Sequence, residues 1–263
     1  MKFCSLASGS SGNCEYVKSE TTGLLIDGGI STKRIVGGLE SIDEQAENLD
    51  GILVTHEHSD HIKGLEVFLS KYHVPVYATA PTLDAIARND KKHRIDYSLF
   101  NPIKADKGFL IGDIEVMPFA TSHDAPGSVC FTLQNGKNKI GIATDLGIYD
   151  TYIRTKLENS NILFIEANYD VSMLQAGPYP FYLKKRILSD IGHLSNDMSA
   201  KLILQLLCRE VKHIFLGHLS KENNYPELAY ETVKYELSKE YGDISRFRLK
   251  TADRDNLSCI TEI

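Results

Sequence analysis

The sequence predicts an α/β fold in which β-sheets are covered by helices, and three observations carry that expectation. Short apolar, strand-like runs arrive in two batches, one before residue 56 and one between residues 112 and 165. Amphipathic helical stretches fall between and after them. With 263 residues, 42% hydrophobic and 24% charged, the chain has a globular composition and the length to bury a sizeable core. No repeat, low-complexity tract or linker interrupts it, so a single domain over 1–263 is expected.

The first batch of strands is expected at residues 2–6, 14–18, 24–27 and 51–55. Ser59 is the expected N-cap of a helix, because Ile62, Leu65, Phe68, Leu69 and Tyr72 follow at helical spacing. That places His61 in a first helical turn, with His56 and His58 on the loop before it. The second batch is expected at 112–119, 128–133, 139–144 and 161–165. An amphipathic helix over 196–209, a buried strand over 212–217 and a last helix over 226–241 complete the chain.

Charge and cysteine usage narrow the class. The net charge of -6 gives the whole molecule no attraction for polyanions, which leaves only a local basic channel for nucleic acid. The apolar runs are too short for a membrane span, and Met1-Lys2-Phe3-Cys4 opens no signal-peptide core, so a cytoplasmic protein is expected. Cys4, Cys14, Cys130, Cys208 and Cys259 form no C-x-x-C pair. They are expected to be buried reduced thiols rather than a disulfide framework or a thiolate zinc site.

The chemistry concentrates in His56-Glu57-His58-Ser59-Asp60-His61, three imidazoles and a carboxylate in six residues at the mouth of an apolar strand. Such a set suits zinc, manganese or iron. It is not the H-E-x-x-H motif, because Asp60 stands where that motif has its second histidine. Alternate residues of an extended segment share a face, so His56 and His58 suit one ion and leave Asp60 and His61 for another. His123, Asp145 and His218 each lie just past a further apolar strand. Four such occurrences together point to a metal site, where any one alone would suggest a surface residue.

On these residues the chain resembles the metallo-β-lactamase fold superfamily, whose dinuclear members carry H-x-H-x-D-H followed by a distant His, Asp and His. The resemblance implies a four-layer αβ/βα sandwich of two mixed β-sheets flanked by helices. It implies two divalent ions per chain, and the nitrogen and oxygen ligands accept zinc, manganese and iron alike. His56, His58 and His123 would hold one, Asp60, His61 and His218 the other, with Asp145 bridging. Two such ions can share and acidify a water and clamp the oxygens of the attacked group, which specifies hydrolysis but not its substrate.

Further residues narrow the substrate. His193 in Ile191-Gly192-His193-Leu194-Ser195-Asn196 is not needed as a ligand and resembles the extra histidine of the superfamily's phosphodiesterase branch. Glu166 matches the acidic residue that orients it in the transfer-RNA-processing members. A carboxylate bonded to the imidazole would favour its cationic form, suited to a phosphorane or a leaving oxygen. Residues 5–13, Ser-Leu-Ala-Ser-Gly-Ser-Ser-Gly-Asn, and 179–187, Tyr-Pro-Phe-Tyr-Leu-Lys-Lys-Arg-Ile, together resemble the YycJ/WalJ group. Its members are described as 5′-to-3′ DNA exonucleases linked to mismatch repair.

The expectation is a dinuclear phosphodiesterase acting on DNA, with His193, Asp60 and Glu166 catalytic and Asp60 the acceptor of the nucleophile's proton. Ser8, Ser11, Asn13, Ser195, Asn196 and Lys184 are candidate substrate contacts; Lys185 and Arg186 could track a backbone, and Tyr179, Phe181 and Tyr182 could stack on bases in a chain without tryptophan. The alternatives are a hydrolase of small cyclic phosphodiesters, a thioesterase or lactonase of the same fold, and a metal-stabilised regulatory module without turnover.

Overall fold

The computed structural model describes residues 1–91 and 93–263. In chain order its elements begin β1 (Lys2–Ala7), β2 (Cys14–Lys18), β3 (Gly23–Ile26), α1 (Thr32–Glu40), β4 (Gly51–Leu53), α2 (Ser59–Ile62), α3 (Leu65–Tyr72), β5 (Val76–Thr79), α4 (Ala80–Asn89), β6 (Phe100–Ile103), β7 (Phe109–Ile111) and β8 (Ile114–Ala120). They continue β9 (Val129–Asn135), β10 (Asn138–Ala143), α5 (Thr151–Leu157), β11 (Ile162–Glu166), α6 (Val171–Ala176), α7 (Phe181–Ile187), α8 (Asn196–Leu206), β12 (His213–Gly217), α9 (Pro226–Tyr241), β13 (Arg248–Thr251) and β14 (Thr261–Glu262). The strands make two mixed β-sheets with helices packed on them, the α/β class expected from the sequence. The chain divides into two compact units, the first of residues 1–120, 125–129 and 253–262, the second of 121–124, 130–252 and 263.

In the first unit the sheet runs β14-β1-β2-β3-β4-β5-β6, antiparallel up to β3 and parallel from β3 to β6. Leu25, Ile52 and Val76 on its strands are buried with Leu39 of α1, Phe68 of α3 and Ile86 of α4, each such side chain contributing roughly 1.5–3 kcal/mol by leaving water. The strand expected over 112–119 is β8, and it begins at Ile114 because the two residues before it form a hairpin turn. Gly112, at φ +54°, and Asp113 turn β7 into β8, and Ser19 and Thr22 bind Asp113 from outside.

The helix expected behind Ser59 also differs. His58, extended at φ −61° and ψ 147°, takes the cap position and Ser59 is already helical. The helix then breaks after Ile62 and restarts at Leu65. Gly64 lies at the break because a Cβ there would come within 1.9 Å of the Ile30 carbonyl. Leu65, Phe68 and Leu69 are buried at the expected helical spacing.

In the second unit β10, β11, β12 and β13 are parallel neighbours in that order, with β9 antiparallel to β10. All five residues of β11 are buried, an unbroken apolar run ending in Glu166, as an interior parallel strand requires. Helices α8 and α9 pack together on this unit. The first of them ends at Leu206 rather than 209, because Leu207 is already extended at ψ 115°. Cys4, Cys14 and Cys130 are buried thiols as expected, whereas Cys208 is half-buried and Cys259 exposed. No described helix is long and apolar enough to cross a membrane.

Candidate functional site

In both units most of the polar residues of interest leave the carboxyl ends of adjacent parallel strands, where ligands gather in open α/β sheets. In the first unit Asp27 follows β3, and the 56–61 loop follows β4, its neighbour in the sheet. The rings of His56 and His58 lie edge to face with centroids 4.5 Å apart, and those of His56 and His61 are 4.1 Å apart. His61 is fully buried and its Nδ1 lies 2.7 Å from Oδ2 of Asp27. Asp27 also accepts from the backbone N–H and hydroxyl of Thr55, both at 2.8 Å. With Nδ1 engaged, His61 presents Nε2, 3.5 Å from the Asp60 carboxylate. This carboxylate–histidine arrangement fixes the tautomer that a metal ligand needs.

The second unit carries His123, Asp145, Glu166, His193 and His218. Asp145, Glu166 and His218 follow or end β10, β11 and β12. Nε2 of His123 and Nε2 of His218 stand 3.5 and 3.7 Å from Oδ1 of Asp145. Those distances are long for hydrogen bonds. They are close to the spacing of roughly 3.3 Å between ligands that share a tetrahedral ion with bonds of about 2.0 Å. His123 Nδ1 faces the Gly192 carbonyl at 3.2 Å, so its Nε2 is again the presented atom. Burial pushes the His123 imidazole below its ordinary pKa against the pull of Asp145, favouring the neutral, ligating form.

Glu166 organises this cluster. Its Oε1 lies 2.7 Å from His193 Nδ1 and 2.9 Å from His218 Nδ1, while Oε2 accepts the N–H groups of Leu146 and Leu194. One ligand-capable atom each of Asp145, Glu166, His193 and His218 lies within 4.8 Å of the others. Both Glu166 oxygens are already engaged, one by the two imidazoles and the other by the two backbone N–H groups. Burial alone would raise its pKa, but the charges and hydrogen bonds of His193 and His218 hold the carboxyl below its ordinary value. His193 is partly exposed, and Nδ1 is the ring nitrogen that Glu166 engages. The donor set of imidazole nitrogens and carboxylate oxygens fits a divalent metal, which the protein binds.

The candidate substrate contacts have structural partners. Asn13 Oδ1 accepts the Gly9 N–H, and its Nδ2 stands 3.3 Å from His61 Nε2, bracing the loop that carries Asp60. The buried hydroxyl of Ser8 faces Asn13, whereas Ser11 is exposed. Ser195 caps α8 through Met198, and the buried Asn196 bonds to Asn224. Lys184 Nζ donates to the Gln175 carbonyl at 2.7 Å, and Arg186 pairs with Asp124.

Sequence reasoning missed Asp27, Thr55 and Asn168, whose amide donates to the His218 carbonyl at 2.8 Å. The signal for Asp27 was present, an aspartate ending the apolar run Leu24-Leu25-Ile26 before Gly28-Gly29. Gly29 is needed there because a Cβ would meet the Asp60 carbonyl at 1.7 Å. Asp27, Asp145 and His218 share a further trait, left-handed backbone at φ 62°, 57° and 55°.

The chain matches the β-lactamase superfamily domain over residues 22–218, a span drawn from both units. It is 38% identical over 263 residues to exodeoxyribonuclease WalJ of Streptococcus pneumoniae serotype 2, covering 100% of this chain and 98% of that one. It is 38% identical over 254 residues to exodeoxyribonuclease YycJ of Bacillus anthracis, covering 96% of each. Among solved structures, the metallo-β-lactamase fold protein YhfI from Bacillus subtilis superposes with a TM-score of 0.71 at 14% identity, covering 98% of both chains. The chain therefore belongs to the metallo-β-lactamase fold superfamily, in the family of the WalJ and YycJ exodeoxyribonucleases.

Proposed function

We propose that this chain is a metal-dependent DNA exonuclease that works from the 5′ end in the cytoplasm, with two ions, zinc or manganese, per chain. The observation that carries the proposal is the Glu166-held His193 beside Asp145 and His218, in a chain similar along its whole length to exodeoxyribonucleases. His56, His58, Asp60 and His61 of the first unit and His123, Asp145 and His218 of the second serve the metals, and the two units act as one hydrolase domain. The ions, when bound, supply an acidified water and neutralise the phosphate oxygens.

The chain's own groups do the rest. Asp60, with 22% of its side chain exposed, accepts the proton released as water attacks phosphorus. His193, oriented through Nδ1, gives a proton from Nε2 to the oxygen that leaves as the P–O bond breaks. Glu166, 2.7 Å from Nδ1, holds the ring in the orientation that this transfer needs.

Digestion of 5′- and 3′-labelled DNA with Mn²⁺ or Zn²⁺, by the protein and its Asp145→Ala variant, tests this. The expected result is nucleotide release from the 5′ end by the wild type, loss with the variant, and loss on chelation. Equal digestion by both proteins would identify a contaminating nuclease. Turnover of nucleoside cyclic phosphates with DNA untouched would assign the site to small phosphodiesters.

A further inference from the structure

Helix α7 carries a second surface beside its packed one. Leu183 and Ile187 pack with Tyr179 onto the small cluster of Tyr169 and Leu174, which gives the helix its buried side. Phe181, Lys184, Lys185 and Leu188 stand at positions i, i+3, i+4 and i+7, another single face of the same helix. They line an open groove of about 680 Å³ with Gln175 and Tyr179. Phe181 is 81% exposed and the adjacent Tyr182 is 75% exposed.

We infer that this groove is a subsite for an unstacked nucleotide of single-stranded DNA, with the base on Phe181 and Tyr179 and a phosphate on Lys185. The inference rests on the exonuclease proposal and deepens it by naming how the strand is held.

Three features favour this occupant. Two lysines sit between aromatic and aliphatic walls in a chain of net charge -6, which matches a polyanion with flat apolar bases. Lys184 is tied to the Gln175 carbonyl and stiffens the groove, whereas Lys185 is exposed with no carboxylate paired to it among the described residues. The carbonyl of Ile187, the last residue of α7, accepts the His193 N–H at 3.1 Å. A helix of seven residues is about 10 Å long, so the groove lies one short helix from His193. Bases of a duplex already stack on each other, so the groove takes a single strand or a frayed end.

The test compares wild type, Phe181→Ala, Phe181→Tyr and Lys185→Ala, loaded with Mn²⁺, on single-stranded DNA and on bis(p-nitrophenyl) phosphate. Phe181→Ala is expected to raise KM for DNA about fivefold to a hundredfold with little change in kcat, the span that loss of one base–aromatic stack gives. Phe181→Tyr restores it. Lys185→Ala lowers the logarithmic salt slope of DNA binding by about one. Hydrolysis of bis(p-nitrophenyl) phosphate stays at the wild-type rate in all three variants.

Wild-type KM and salt slope in Phe181→Ala and Lys185→Ala would overturn the inference and leave the groove to another partner. If the wild type leaves DNA intact, the exonuclease proposal fails on its own. Anisotropy of a labelled single-stranded oligonucleotide then decides the groove, with weaker binding by Phe181→Ala supporting it and equal or absent binding overturning it.

Discussion

The two polar clusters are built in opposite ways. In the first unit His56, His58, Asp60 and His61 sit within six residues, so one segment after β4, a loop running into α2, delivers them and a single carboxylate, Asp27, needs to hold only His61 and Thr55. In the second unit the residues come from five segments between 123 and 218, and Glu166 gathers two imidazoles and two backbone amides at once. Where ligands are adjacent in sequence the backbone supplies the order. Where they are scattered, a buried acceptor with both oxygens engaged supplies it.

That contrast predicts unequal consequences. Glu166→Ala is expected to be the most damaging change, lowering turnover about 10³-fold or more by releasing His193 and His218 together. It should also lower metal content after dialysis. His193→Ala, by comparison, lowers turnover about 10²- to 10⁴-fold with metal content unchanged by elemental analysis. Metal loss from His193→Ala would make that histidine a ligand and break the distinction.

Asp27→Ala releases one imidazole rather than two, and metal affinity is expected to fall about 10- to 100-fold in a competition titration with a chelating dye. A loss as deep as that of Glu166→Ala would mean that the contiguous loop depends on its carboxylate as much as the scattered set does.

The smallest effect is expected at Asp113, held down to a pKa of about 2 by the hydroxyls of Ser19 and Thr22, with imidazoles playing no part. A depressed carboxyl pKa stabilises the fold above the ordinary value of 3.8, and the contribution vanishes as pH falls through the folded value. Asp113→Asn should therefore lower Tm slightly at pH 7, by an amount that disappears between pH about 4 and about 2, with metal content unaltered. A metal-dependent Tm change would link the 112–113 turn to the first cluster.

The legible part of the site follows the same division. The spacing of His56 to His61 is itself a signal, and Asp145 and His218 stand out because each follows an apolar strand. Glu166 and His193 are 27 residues apart, so only a resemblance links them before folding does. Asp27 is ambiguous for another reason, since an aspartate that ends an apolar run before two glycines also has the look of an ordinary turn. The helix behind Ser59 was legible in its apolar face but not in its break, because the contact between Gly64 and Ile30 is not encoded by periodicity. Ser195 and Asn196 are marked by their place beside His193 in a motif, which does not separate a helix cap from a ligand contact.

The left-handed backbone of Asp27, Asp145 and His218 has an evolutionary consequence. Each residue occupies a conformation that glycine adopts freely and that costs other residues about 1 kcal/mol or more. Glycine at these three strand ends would relax the backbone while deleting a side chain that the proposed site uses. A library of variants sorted for heat resistance alone should therefore enrich glycine at 145 rather than at 27 or 218, where the change would also orphan the Thr55 donors or the Glu166 carboxylate.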